Sequence, residues 1–136
     1  MTREPQYDLP QLFQALGDTT RLRLLNLMRE QEVCVCYFTQ ILGGPQPKIS
    51  RHLAYLRNAG IVSARREGKW MHYRIVMPPH IGASQILRQT LDSLKEDKSM
   101  RADLARITKA CCTPAKYALH GAPLPTAVSE LCCEVC

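Results

Sequence analysis

Seven cysteines dominate the chemistry available to this 136-residue chain. They fall into three groups: Cys34 and Cys36, then Cys111 and Cys112, then Cys132, Cys133 and Cys136. The count is odd, and Met1-Thr2-Arg3-Glu4-Pro5 lacks the apolar stretch of a secretory signal, so a cytoplasmic protein is expected. In a reducing compartment such thiols serve more often as metal ligands or reactive groups than as a disulfide framework. Thiolates select soft cations and metalloids. A structural zinc site is disfavoured by the spacing of the thiols.

Composition narrows the partners. Hydrophobic residues make up 46% and charged residues 22%, the balance of a globular protein, and the length fits one domain. The formal charge of +6 favours polyanions, nucleic acid above all. No apolar run approaches the ~18 residues of a membrane-spanning helix, so no membrane partner is expected.

The elements that must position the first thiols follow from periodicity. Asp8 opens a short helix with Leu9, Leu12, Phe13 and Leu16 on one side, and Gly17 stops it. Asp18 or Thr19 caps a second helix, with Leu22, Leu25 and Met28 as its stripe. A third helix is expected from about Val33 to Leu42, broken by Gly43-Gly44-Pro45. A fourth runs from Gln46 towards Gly60, with Ile49, Leu53 and Leu56 inward and Lys48, Arg51, Ala54, Tyr55 and Asn58 outward. Helix, glycine turn and basic-faced helix together make a helix-turn-helix. Residues 61–66 and 69–76 then read as two strands around a Glu67-Gly68 turn, a hairpin whose tip carries Arg65, Arg66 and Lys69. After Pro78-Pro79, Ser84 is expected to cap a long helical stretch with Ile86, Leu87, Leu91 and Leu94 apolar. It is interrupted at Lys95-Glu96-Asp97-Lys98 and resumes with Met100, Leu104 and Ile107. This stretch has more apolar surface than a small core covers, which makes it a dimerisation element paired with the first helix. His80 reads as a plain surface residue.

The fold class expected is therefore mainly α with a small β-hairpin, a winged helix-turn-helix dimerising through its first and last helices. Residues 1–108 form the DNA-binding and dimerisation domain, and residues 109–136 a cysteine-containing flexible tail.

Four segments, in order and at matching spacing, make the chain similar to a known family. They are Ala15-Leu16-Gly17-Asp18-Thr19-Thr20-Arg21-Leu22-Arg23-Leu24-Leu25, Cys34-Val35-Cys36, Ile49 through Val62, and Arg65-Arg66-Glu67-Gly68-Lys69-Trp70-Met71-His72-Tyr73. Over roughly residues 8–108 the chain resembles the ArsR/SmtB winged-helix metalloregulatory repressors. The resemblance implies a homodimer of helix-helix-helix-helix-strand-strand-helix layout that leaves a palindromic operator when effector binds, and no enzyme. In arsenic-responsive members a Cys-x-Cys at the start of the third helix takes part in As(III) or Sb(III) binding. Thr39 stands where some of them carry a third cysteine. Cys111-Cys112 is then a second candidate pair, since some members bind arsenic at paired cysteines near the end of the last helix. Members that sense Zn(II) through that helix use histidines and carboxylates, and residues 84–108 hold no histidine.

On the DNA side the candidates are Gln46, Lys48, Ser50, Arg51, His52 and Tyr55 from the recognition helix, and Arg65, Arg66 and Lys69 from the wing. On the thiol side, residues i and i+2 of a helix point about 200° apart. Cys34 and Cys36 so placed grip one ion only if the first turn of the third helix unwinds, and that distortion is the expected switch. By the same geometry a disulfide between them is not easily formed. Cys132, Cys133 and Cys136 hang on about twenty residues of chain, a root-mean-square reach of roughly 25 Å, enough to add a thiolate to either subunit. Cd(II) or Pb(II) sensing and thiol redox sensing are the alternatives.

Overall fold

The computed structural model describes residues 7–29 and 31–112. Cys132, Cys133 and Cys136 lie outside the described residues, as do the side chains of Cys111 and Cys112.

Asp8 accepts the Gln11 amide at 3.1 Å and starts α1 (Leu9–Leu16), with Pro10 in the first turn, where a missing amide costs no helical bond. Asp18 accepts the Arg21 amide and starts α2 (Thr19–Met28). More than one stripe of α2 is buried: Leu24, Leu25, Leu27, Met28 and even Asn26 are fully covered. The cause is position, since α1, α3, α4, α5, α6 and β3 all pack against it.

The chain next departs from expectation. Val33 and Cys34 form a strand, β1, and α3 begins only afterwards (Val35–Leu42). Cys34 is the residue before the helix, with extended backbone at φ −70° and ψ 142°. The expected helix from Val33 is therefore corrected by two residues. Gly43 and Gly44, both at positive φ, turn the chain into α4 (Gln46–Asn58). That helix ends in a Schellman turn: Gly60 at φ 79° donates to Arg57 O and Ile61 donates to Leu56 O.

Strands β2 (Val62–Glu67) and β3 (Trp70–Ile75) pair antiparallel, with Glu67 opposite Trp70. The turn is thus Gly68-Lys69, one residue later than expected, with Gly68 at φ 58°. β1 adds to the free edge of β3, so the sheet has the order β1-β3-β2. The hairpin is a three-stranded sheet.

His80, not Ser84, caps α5 (Ile81–Leu94) by accepting the Ala83 amide at 3.1 Å, and its ring stacks on Tyr7 at 5.6 Å. His80 is exposed, as expected of a surface residue, and has this capping role in addition. Asp97 accepts the amides of Ser99 and Met100 at the start of α6 (Lys98–Cys112). α6 folds back onto α2 and α3. Arg23 clasps the buried Asp103 carboxylate with two bonds of 2.8 and 3.1 Å, and Asn26 donates to Met100 O at 2.9 Å. Much of the apolar stripe of both terminal helices is covered within the chain, at Ala83, Leu87, Leu91, Leu94, Met100, Ile107 and Ala110. Phe13 of α1 and Ile81 of α5 remain 56% and 75% exposed. Among the described residues no helix is long and apolar enough to cross a membrane.

Candidate functional site

Because Cys34 belongs to a strand and Cys36 to the first turn of α3, their side chains converge. The Cys36 thiol donates to Cys34 Sγ across 3.0 Å. The expectation that the two sulfurs face opposite ways is overturned, and with it the requirement that α3 unwind before one ion can be held. The obstacle to a disulfide falls for the same reason. Cys34 is 1% exposed and Cys36 half-buried, and both are free thiols. The bond from Cys36 lowers the Cys34 thiol to about 7; burial opposes this, and the Cys36 and Val35 amides at the helix start assist it. The same bond, then burial, then the neighbouring charge drive the Cys36 thiol up. Cys34 is the more readily ionised of the two sulfurs, and Cys36 is the donor to it.

Two thiols are an incomplete donor set for a three-coordinate ion. Thr39 does not add a ligand; its hydroxyl donates to Cys36 O at 2.9 Å. Among the described residues no three His, Cys, Asp or Glu side chains converge to hold a metal ion. The backbone of Cys111 and Cys112 closes α6, on a helix that packs against α3.

The thiol pair sits against the wing. Cys34 lies directly opposite His72 of β3, and His72 lies directly opposite Arg65 of β2, so the three share one row across the sheet. A cross-strand row presents one face. Glu32, two residues before Cys34, reaches over it: its carboxylate takes Arg65 Nη2 at 2.6 Å and Nε at 3.3 Å. Glu67 takes Arg65 Nη1 at 3.2 Å. The buried His72 ring lies 3.9 Å from Glu32 and 3.3 Å from Glu67. The hydrogen bond from Arg65 chiefly holds the Glu32 carboxyl below its usual range, against the effect of burial. Arg65 therefore spends its donors on carboxylates. Arg66 and Lys69 occupy the exposed tip, the first bonded to Gly68 O at 3.1 Å and the second 5.0 Å over the Trp70 ring. His72, from the last of the resemblance segments, is buried.

The recognition helix, α4, buries Ile49, Leu53 and Leu56 and exposes Gln46, Lys48 and Arg51, while Ser50 is partly covered. His52 and Tyr55 face the body of the protein more than solvent. The Tyr55 hydroxyl donates to Gln14 at 2.9 Å, and the Arg21 guanidinium lies 4.3 Å over the Tyr55 ring. Arg21 also donates to Ala15 O at 2.9 Å and Gln14 O at 2.7 Å, and sits 3.4 Å from His52 Nδ1. Burial pushes the Asp18 carboxyl up, but the Arg21 amide and the charges of Arg21 and His52 outweigh it and hold it below its usual range. Arg21 thus joins the α1–α2 corner to α4. The sequence alone did not single out Glu32, and it carried Arg21 only inside a resemblance segment. Glu32 follows the period of two through Cys34, but a two-residue strand is too short to reveal a period.

The family described as "Bacterial regulatory protein, arsR family" matches residues 18–64. The arsenical resistance operon repressor of Escherichia coli (strain K12) is 51% identical over 74 residues, 54% of this chain and 62% of that protein. The chain therefore spans less than two thirds of that relative's length. An uncharacterized HTH-type transcriptional regulator of Methanocaldococcus jannaschii is 51% identical over 67 residues, 48% of this chain and 75% of that one. The crystal structure of the AntR antimony-specific transcriptional repressor superposes with a TM-score of 0.50 at 29% identity, covering 71% of this chain and 96% of that one.

Proposed function

Since the chain belongs to the arsR family of bacterial regulatory proteins, we propose that it is a metalloid-responsive transcriptional repressor. It binds a palindromic operator as a homodimer and dissociates when As(III) or Sb(III) takes its thiolates. Residues 1–108 supply DNA binding and dimerisation, and residues 109–136 carry further thiols. The first helix and the last helical stretch, α5 with α6, form the dimer contact; the exposure of Phe13 on α1 and Ile81 on α5 supports this. Two related proteins bear names that speak of arsenic and antimony, which supports this class of effector.

The observation that carries the reading is the Cys34–Cys36 pair, two thiols 3.0 Å apart between the wing sheet and the helix that precedes the recognition helix. Metal–sulfur bonds of about 2.3 Å at a tetrahedral angle set two sulfurs about 3.8 Å apart. A soft ion fits after an opening of under about 1 Å, with Cys111, Cys112 or a tail cysteine (Cys132, Cys133, Cys136) completing a three-thiolate set. On DNA, Lys48 and Arg51, with Gln46 and Ser50, enter the major groove, and Arg66 and Lys69 meet the backbone. Arg65, His52 and Tyr55 act through position more than through contact. Reversing operator occupancy from 1:99 to 99:1 needs about 5.5 kcal/mol of effector preference for the released state.

The test uses a duplex selected from a randomised pool by the purified protein, with release followed by fluorescence anisotropy. Arsenite or antimonite releases the wild-type chain, and Cys34→Ser with Cys36→Ser keeps DNA affinity while abolishing release. A double variant that responds like wild type overturns the site. A release by Cd(II) or Pb(II) alone overturns the metalloid assignment.

The same 3.0 Å approach favours a second reading, redox sensing. Peroxide would take two electrons and two protons from the thiols, leaving a disulfide and water. Release by peroxide and not by arsenite selects it.

A further inference from the structure

The thiol pair has one sulfur on each of two bodies. Cys36 rides on α3, whereas Cys34 belongs to a two-residue strand held by β3 through the pairs Val33–Tyr73 and Cys34–His72. Forcing the sulfurs apart therefore displaces β1 relative to α3. β1 is the weaker body: it is two residues long and lies at the edge of the sheet. Beyond the ladder and the burial of Val33 and Cys34 in the core, it is tied by the Glu32–Arg65 clasp, which crosses to β2 beside the His72 ring. The clasp joins the residue just before the thiol strand to the far strand of the wing, 33 positions away in the chain. α3, the route through which the sequence placed the switch, needs no unwinding.

We infer that the wing receives the effector signal through β1, and that Glu32 is the positioning residue that carries it by gripping Arg65. This rests on the reading of Cys34 and Cys36 as the effector thiols. Opening the pair strains β1, Glu32 moves with it, and the guanidinium it holds shifts β2 and the wing tip. Glu67 also bonds Arg65, but it belongs to the hairpin itself and moves with it.

Trp70, the one tryptophan of the chain, sits at the wing turn opposite Glu67 and reports on this segment without DNA. The probe is phenylarsine oxide: arsenic bonds both sulfurs, and the two thiol protons leave with the oxide oxygen as water. The protein is the full chain with Cys111→Ser, Cys112→Ser, Cys132→Ser, Cys133→Ser and Cys136→Ser, so that capture occurs at Cys34 and Cys36 alone. Native mass spectrometry counts the adduct while Trp70 fluorescence is followed. One adduct should form, with a fluorescence change that saturates at one equivalent. Glu32→Gln should form the same adduct with most of the fluorescence change lost; Arg65→Gln, from the exposed end of the clasp, should do likewise. Glu67→Gln should respond as the parent does. An adduct with silent Trp70 in the parent, or an undiminished response in both Glu32→Gln and Arg65→Gln, overturns the wing route and leaves the thiol site standing. No adduct at all removes the thiol site, and the inference with it.

Discussion

Cys36 donates its thiol proton to Cys34 across 3.0 Å, so the two sulfurs are unequal before any ion arrives. Cys34 has its thiol lowered to about 7, with the hydrogen bond from Cys36 as the largest cause. Cys36→Ala removes that donor and leaves burial in control. Followed by thiolate ultraviolet absorbance in a chain whose other thiols are replaced by serine, the Cys34 titration should move up, to or beyond the ordinary value of about 8.5. The sign for stability follows. A group lowered on folding stabilises the fold above its unfolded value and loses that contribution as pH falls through about 7. An unchanged midpoint in Cys36→Ala would show that the helix amides alone set it.

Arg21→Ala is expected to loosen the seat of the recognition helix. It removes a cation–π contact with Tyr55 and bonds to Ala15 O and Gln14 O. A cation–π contact contributes about 0.5–1 kcal/mol and each net hydrogen bond about 0.5–1.5 kcal/mol. A loss of about 2 kcal/mol in urea denaturation is expected, together with weaker binding to the selected duplex and little change on non-specific DNA. Equal loss on both DNAs would place Arg21 on the phosphate backbone instead.

Arg51 and Lys48 should differ in kind, though both are exposed on α4. If Arg51 reads a base edge, Arg51→Ala costs about 1–3 kcal/mol and relaxes preference at one position of the duplex. If Lys48 meets phosphate, Lys48→Ala weakens all sequences alike and reduces the salt slope by about 1. Binding titrations at several salt concentrations on matched and mismatched duplexes separate the two.

Arg23→Ala strands a carboxylate. Asp103 is 3% exposed and keeps only Arg106, at 3.5 Å, among its described ion-pair partners. Removing one member of a buried pair costs about 3–5 kcal/mol, and partial access at Arg23 moves the expectation to the lower end. Arg23→Ala with Asp103→Leu should recover part of the loss, because no charge is then left buried. A double variant no more stable than the single one would argue that the pair orients α6 more than it avoids a buried charge.

Gly68→Ala tests the wing turn. With φ at 58°, a side chain is strained there whatever the space around it, and nothing lies within contact of the added carbon. The expected cost is about 1 kcal/mol in thermal or urea unfolding. No cost would mean that the turn relaxes to another type.

Local chemistry was legible in the order of residues. Asp8 and Asp18 cap where short acidic side chains precede an apolar period, Gly60 closes α4 because a Schellman turn needs positive φ, and Ile49, Leu53 and Leu56 are inward because they recur at helical spacing. The family resemblance rested on the same segments. What only the tertiary structure decided is which way the thiols face. Val33 and Cys34 carry too few residues to show a period of two, and their pairing with Tyr73 and His72 joins positions some forty residues apart. A strand that short exists because β3 offers it an edge, and α3 can start only where that ladder stops. Helical spacing therefore set the sulfurs on opposite sides, while long-range backbone pairing brought them together. Glu32 and Arg21 belong to the same class: each matters through a partner far along the chain, Arg65 in one case and Tyr55 in the other, and no local pattern encodes such a meeting.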